Sequence, residues 1–196
     1  MIRVQVSCIA LLNDKIVMIK KKDKTSAVHG YFIPPGGHVE LHETLEQACK
    51  REMFEETGLI VDDLELRGVV SFIAHTSDYH SVCFWYMTRN VKGKLELKEP
   101  EKLTPHLVEI ETLYYNKEVT DYHRAFIKEI VEKGNFLNGI VEWCKPDNSI
   151  KWSILENTPK NPEYPRYNKE DNHGEHSTKA VDDGKRPADC RTDGIT

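Results

Sequence analysis

The sequence predicts an α+β fold, an α/β/α sandwich with a mixed sheet. Three observations carry that expectation. Short runs with strand periodicity alternate with two long helical segments, turn-forming residues join neighbouring strands into hairpins, and no segment repeats. Ile2–Leu12 and Lys15–Lys20 read as a hairpin about Asn13-Asp14. The loop Lys21–Gly30 leads to a short extended Tyr31–Ile33. Pro34-Pro35-Gly36-Gly37 is then expected to stop regular structure, because proline has no N–H to give to a ladder. Thr44–Thr57 reads as a helix, with Glu43 near its positive end and Gly58 as its terminating glycine. Leu64–His75, His80–Arg89 and Leu107–Leu113 follow as strands, with Asn90–Lys94 as a turn. Val119–Lys133 is the second long helix, started by Thr120 or Asp121, with Tyr122, Phe126, Ile127 and Ile130 on one side. Asn138–Cys144 and Ile150–Leu155 flank Lys145-Pro146-Asp147-Asn148 as a last hairpin, and Trp143 and Trp152 fit its packing on the core.

Composition bounds the function. The chain has 196 residues, 39% hydrophobic, with a net charge of −5. So mild an acidic balance argues against a protein that coats nucleic acid or anionic membrane by bulk charge. The apolar runs Cys8–Leu12, Ile16–Ile19 and Gly68–Ala74 are strand-sized and fall far short of a membrane span. Five scattered cysteines (Cys8, Cys49, Cys83, Cys144, Cys190) contain no C-x-x-C pair and read as thiols in a reducing compartment, so a cytoplasmic protein is expected. From Asn157 to Thr196 only seven of 40 residues are hydrophobic and four of the nine prolines cluster. That segment cannot bury enough apolar surface to offset the entropy of ordering. The expected organisation is a folded domain over 1–156 and a polar, disordered tail over 157–196.

The chemistry-bearing segment runs from Gly37 to Leu59. At 100° per residue, Glu52, Glu55 and Glu56 fall within roughly a 100° arc. Leu45, Ala48 and Cys49 lie on the same side, so a stripe that begins apolar turns acidic in its last two turns. Those carboxylates repel one another, and they sit at the helix end where the dipole disfavours negative charge. A divalent cation removes both penalties, and oxygen-only donors suit hard Mg2+, or Mn2+ as a substitute. Arg51 can pair with one carboxylate and fix its rotamer, and a bare carbonyl of the Pro-Pro-Gly-Gly turn can reach the ion. For the loose E-x-x-E-E cluster alone, an ordinary solvated helix rich in Glu, Lys and Arg is the plainer reading.

The same residues match a family signature. Gly37, Glu43, Arg51, Glu52, Met53, Glu55, Glu56, Gly58 and Leu59 occupy the positions of G-x5-E-x7-R-E-U-x-E-E-x-G-U, U being a bulky aliphatic residue, without a mismatch. On this box, and on the Pro-Pro-Gly-Gly-His before it, residues 1–156 resemble a Nudix hydrolase of the MutT-like, nucleotide-sanitising branch. The resemblance implies a Nudix-type α/β/α sandwich and Mg2+-dependent attack of water on a nucleoside diphosphate linked to another group X. It implies that Glu52, Glu55 and Glu56 hold one to three ions, with the Gly36 carbonyl as a further ligand. Arg51 would then orient the carboxylates, and Glu43 would cap or tether the helix. The general base varies among such enzymes; Glu99 and Glu101 are the loop candidates, each with a solvated turn as the plainer role.

Gly68–Ile73, Tyr79–Val82 and Glu99–Lys102 also resemble segments of the MutT-like branch, and the Phe136–Ile154 region resembles the C-terminal hairpin of oxidised-purine triphosphatases. The expected substrate is a modified nucleoside triphosphate, such as 8-oxo-dGTP, cut to monophosphate and pyrophosphate. Phe32, Phe72 and Trp85 are candidate base-stacking residues, with core packing as the alternative for each. ADP-ribose and nucleotide-sugar pyrophosphatases share the same metal site, often behind an extra N-terminal segment, whereas this chain starts directly in its first strand. A non-catalytic nucleotide sensor goes with an eroded box, and this one is intact. A small-molecule nucleotide is the expected partner, with no stable nucleic acid partner and no membrane. His75, His80 and His123 are further residues that could touch substrate, and His173-Gly174-Glu175-His176 lies in the polar tail. Removal of residues 157–196 is expected to leave melting temperature and turnover almost unchanged; a large loss of either would show that the tail docks.

Overall fold

The computed structural model describes residues 1–24, 26–147 and 149–155. The segment 157–196, expected as a tail, lies outside the described residues. The elements in chain order are β1 (Arg3–Leu12), β2 (Lys15–Lys21), β3 (Phe32–Ile33), β4 (Gly36–His38), α1 (Leu45–Thr57), β5 (Ile60–Asp62), β6 (Glu65–Ala74), β7 (His80–Thr88), β8 (Asn90–Lys92), β9 (Leu103–Glu109), α2 (Ile110–Leu113), α3 (Asp121–Val131), β10 (Leu137–Trp143) and β11 (Ile150–Ile154).

The principal sheet runs β11-β10-β6-β7-β1-β2-β3, with β4 paired to β1 and β9 to β2. It is mixed, because β1 runs parallel to β7 and β10 parallel to β6 while the other pairs are antiparallel. One edge of β1 lies along β7 from Arg3 to Ala10. Its other edge is divided: Gln5–Ser7 pair with β4, and Leu11–Leu12 pair with β2. The sheet therefore parts beside β1.

Period-2 alternation sends the strand residues into two cores. Val6, Cys8, Ala10, Val17 and Tyr86 pack with Ala48, Cys49 and Met53 of α1. Ile9, Leu11, Ile16, Met18, Cys83 and Trp85 pack with Tyr122, Phe126, Ile127 and Ile130 of α3. Helices on both faces of a mixed sheet make the α/β/α sandwich that the sequence predicts. Cys8, Cys49 and Cys83 are free and buried. Among the described residues no helix is long and apolar enough to cross a membrane.

Three elements differ from expectation. Gly36–His38 is a strand and not a stop. A Cβ on Gly36 would lie 2.2 Å from the Val6 carbonyl oxygen, so only the missing side chain lets this turn press against β1. Asn90–Lys92 is not a turn but pairs with Ile60–Asp62, which sequence patterning did not single out. That short ribbon lacks apolar alternation and is tied by Thr88 Oγ1 donating to the Asp62 carbonyl at 2.5 Å and Asn90 Nδ2 donating to Asp63 Oδ2 at 2.8 Å. The strand expected at Leu107–Leu113 begins earlier, at Leu103, and yields to a helical turn at Ile110. Pro105 is accommodated because β9 pairs only with β2 and its other edge needs no N–H donor.

Gly36→Ala is expected to lower the unfolding free energy by about 1–3 kcal/mol, the range for local strain, or to force β4 off β1. Denaturant unfolding with the wild type alongside measures it, and equal midpoints would show that β1 and β4 adapt at no cost.

Candidate active site

The geometry starts with the start and stop of α1. Thr44 caps it in a reciprocal box: its hydroxyl accepts from the Gln47 N–H at 3.2 Å and its own N–H donates to Gln47 Oε1 at 2.8 Å. Gly58, at φ 74°, closes the helix in the left-handed conformation. With both ends fixed, Ala48, Cys49, Met53 and Glu56 share the buried side. The apolar stripe does turn acidic, as the spacing predicts.

The three box carboxylates have unlike surroundings. The Glu56 side chain is only 5% exposed and Glu52 15%, whereas Glu55 is 51% exposed. Glu56 Oε1 accepts from Lys21 Nζ at 2.8 Å and Oε2 from the Gly36 N–H at 2.9 Å. Burial raises the pKa of Glu56, and Lys21 opposes that rise. Burial also raises that of Glu52, against the pull of Arg51. Glu52 lies so near Gly37 that a Cβ there would fall 2.4 Å from Glu52 Oε1. The two adjacent glycines are thus the condition for bringing the β4 backbone against two carboxylates.

Arg51 organises the rest. Its Nε and Nη2 donate to the two oxygens of Glu43 at 2.7 and 3.1 Å, a bidentate pair. Nη1 donates to Glu52 Oε1 at 2.9 Å and Glu55 Oε2 at 3.1 Å, and Nη2 also reaches the His38 carbonyl at 2.9 Å. One guanidinium therefore joins α1, the loop before it and β4, and leaves the second oxygen of Glu52 and of Glu55 outside its grip. Glu43 tethers Arg51, while the cap itself is Thr44.

Lys21, Gly36 and Gly37 also form part of the wall of a cavity of about 790 Å3. Phe72, Trp85, Tyr122, His123 and Trp143 line the same cavity. His123 is buried, with its pKa pushed down to about 3 by desolvation, so the ring is neutral. Its Nδ1 shares a 2.7 Å hydrogen bond with Thr120 Oγ1, the cap of α3. Trp85 Nε1 is buried without a hydrogen-bond acceptor among the described residues, although its ring lies against His123 and Phe126. His38, at the rim, has its pKa lowered by burial and then by Arg3. Lys21 is therefore the one wall residue with a fixed charge among the described residues. The volume and the aromatic wall suit a nucleotide-sized ligand.

The candidate residues from sequence divide accordingly. Arg51, Glu52, Glu55, Glu56 and Gly36 are brought together. Phe72 and Trp85 line the cavity, Trp85 as part of the core as well. Phe32 does not line it: its ring packs edge-on to His106 and under Lys20. Glu99 accepts from Lys102 Nζ at 2.5 Å, and the Lys102 pKa is raised by Glu99 first and by Glu52 and Glu55 as well, which places that loop within electrostatic reach of the box. Glu101 is exposed on the same turn. Lys21, Tyr122 and Trp143 were not among the residues picked out by sequence as touching substrate. Lys21 had a signal: it stands four residues after Val17 on β2, on the face that meets α1.

Among the described residues no group of three or more His, Cys, Asp or Glu side chains is gathered tightly enough to hold an ion unaided. The donors nevertheless fit a hard divalent cation. Glu52, Glu55, Glu56 and the Gly36 backbone offer oxygen only, and two of the carboxylates are held half-desolvated or more beside a cavity.

The chain is similar to several known proteins. An ADP-ribose pyrophosphatase of Methanocaldococcus jannaschii is 36% identical over 90 residues, 46% of this chain and 52% of that protein. An oxidized purine nucleoside triphosphate hydrolase of Danio rerio is 34% identical over 86 residues, 42% of this chain and 51% of that protein. The chain thus spans about half the length of each of these two relatives. The crystal structure of a MutT protein from Bacillus halodurans superposes with a TM-score of 0.66, covering 78% of this chain and 97% of that one at 19% identity, which supports the shared fold. The NUDIX domain model matches residues 1–130, from β1 to within α3, and with it the whole of the carboxylate helix and its glycine turn; the chain belongs to the NUDIX family.

Proposed function

We propose that this protein hydrolyses a phosphoanhydride in a nucleoside diphosphate linked to X, with a modified nucleoside triphosphate such as 8-oxo-dGTP as substrate and Mg2+ as cofactor. The observation that carries the reading is the pair of desolvated carboxylates, Glu52 and Glu56, bonded to or packed against the same glycine turn that walls the cavity. A chain that buries acid at the negative end of a helix accepts a cost that Lys21 and Arg51 offset in part and that a bound divalent cation would offset further.

Glu52, Glu55 and Glu56 would hold the ion, with the Gly36 carbonyl as the further ligand. When bound, such an ion neutralises phosphate oxygens and acidifies a coordinated water. The remaining work falls to the chain itself. Arg51 fixes the rotamers of Glu52 and Glu55 while Glu43 holds Arg51 from behind. Lys21 sets positive charge in the cavity wall where polyphosphate would lie. Phe72, Trp85 and the neutral His123 give the cavity an uncharged surface against which a base can stack. Glu99 is the base we favour over Glu101, because its partner Lys102 feels the box carboxylates.

A second substrate class stands beside the first, because one relative is named an ADP-ribose pyrophosphatase and another a hydrolase of oxidised purine triphosphates. In this chain either activity would draw on the same carboxylates, so the choice rests on X. The intact box and the crowded acids speak against a sensor without catalysis.

Glu56→Gln is expected to cut turnover by several orders of magnitude with a fold preserved by circular dichroism, and unchanged turnover would refute the site. A panel of dNTPs, 8-oxo-dGTP, ADP-ribose, dinucleoside polyphosphates and nucleotide sugars with Mg2+ decides the substrate. The highest kcat/KM is expected for a modified triphosphate, and a wide margin for ADP-ribose would overturn that preference and leave the hydrolase reading standing.

A further inference from the structure

Four carboxylates (Glu43, Glu52, Glu55, Glu56) converge on two cations, Arg51 and Lys21, and the two cations are held very differently. Arg51 makes five hydrogen bonds, including a bidentate pair, and cannot leave without breaking the tether of α1 to β4. Among the described residues the Lys21 ammonium makes one bond, to Glu56 Oε1, from a flexible stem at the end of β2, and its side chain is 22% exposed along the cavity. Glu56 is the most deeply buried of the box acids, and its only other partner among the described residues is the Gly36 N–H. Without Lys21 it would be a buried charge short of compensation.

Resting on the hydrolase reading above, we infer that Lys21 is the resident counter-cation of the metal site: it neutralises Glu56 in the empty site and is displaced when a divalent ion takes that carboxylate. The two cations compete for one oxygen, so the protein's affinity for metal is set partly by the strength of the Lys21–Glu56 pair. Displacement also releases the ammonium at the cavity wall, next to Gly36 and Gly37, where an anionic ligand can take it up. Loading with metal thereby converts Lys21 from a structural cation into a ligand-binding one, and metal is expected to bind before the nucleotide.

The test is a Mn2+ titration, by calorimetry and by electron paramagnetic resonance of free Mn2+, on the full chain and on Lys21→Met, Lys21→Arg and Glu56→Gln, with melting temperatures at each metal concentration. Lys21→Met is expected to melt lower than wild type without metal, to bind Mn2+ about tenfold tighter, and to recover most of its melting deficit when saturated. Lys21→Arg keeps a competitor and is expected to stay within about threefold of wild type. Mn2+ affinity unchanged or weaker in a folded Lys21→Met overturns the counter-cation role and leaves the metal site in place. Unaltered affinity in Glu56→Gln, or no Mn2+ binding by the wild type, overturns the metal site itself and this role with it.

Discussion

Everything at the site depends on one costly arrangement: acidic side chains drawn out of water at the wrong end of a helix. The dipole of α1 opposes them, burial opposes them, and they oppose each other. The fold supports the arrangement by spending neighbouring structure on it. Arg51 is bound to Glu43, which lies outside the helix, and to the His38 carbonyl, which lies on another strand. The carboxylates are thereby stiffened from two directions before any ligand arrives, as a reaction governed by electrostatic preorganisation requires.

The sheet supplies the second half of that support. Because β1 shares one of its edges between β4 and β2, the glycine turn and Lys21 both reach Glu56 of α1, one from each of those strands. A continuous sheet would have filled that space with paired backbone. The parting beside β1 is thus the architectural reason that a short turn, a helix end and a strand end meet.

Much of this was legible in the sequence because it is periodic or rigidly spaced. Helical geometry alone grouped Glu52, Glu55 and Glu56 and aligned them behind Ala48 and Cys49; the structure buries Ala48, Cys49 and Glu56 on that side and leaves Glu55 half exposed. Gly58 closes the helix as its position suggests, whereas the cap at the other end is Thr44, which the sequence pattern places inside the helix. What escaped depends on distant partners. Gly36–His38 is a strand only because β1 lies against it, and Asn90–Lys92 only because Ile60–Asp62 does. Phe32 carried the same aromatic label as Phe72, yet one packs on His106 and the other faces the cavity, a difference that no local pattern encodes. Lys21 was hidden in the run Lys20-Lys21-Lys22, where only the strand's parity separates it from its neighbours. Lys20 instead pairs with Glu118 and Lys22 donates to the Pro100 carbonyl.

The cavity has two electrical characters. Its wall combines Lys21 with Phe72, Trp85, Tyr122, Trp143 and a His123 whose imidazole does not ionise near neutrality. Added electrolyte screens the first kind of surface and barely touches the second. Ionic strength should therefore partition the binding of a ligand between its two halves: recognition of the anionic part fades as salt rises, while discrimination among ring systems persists.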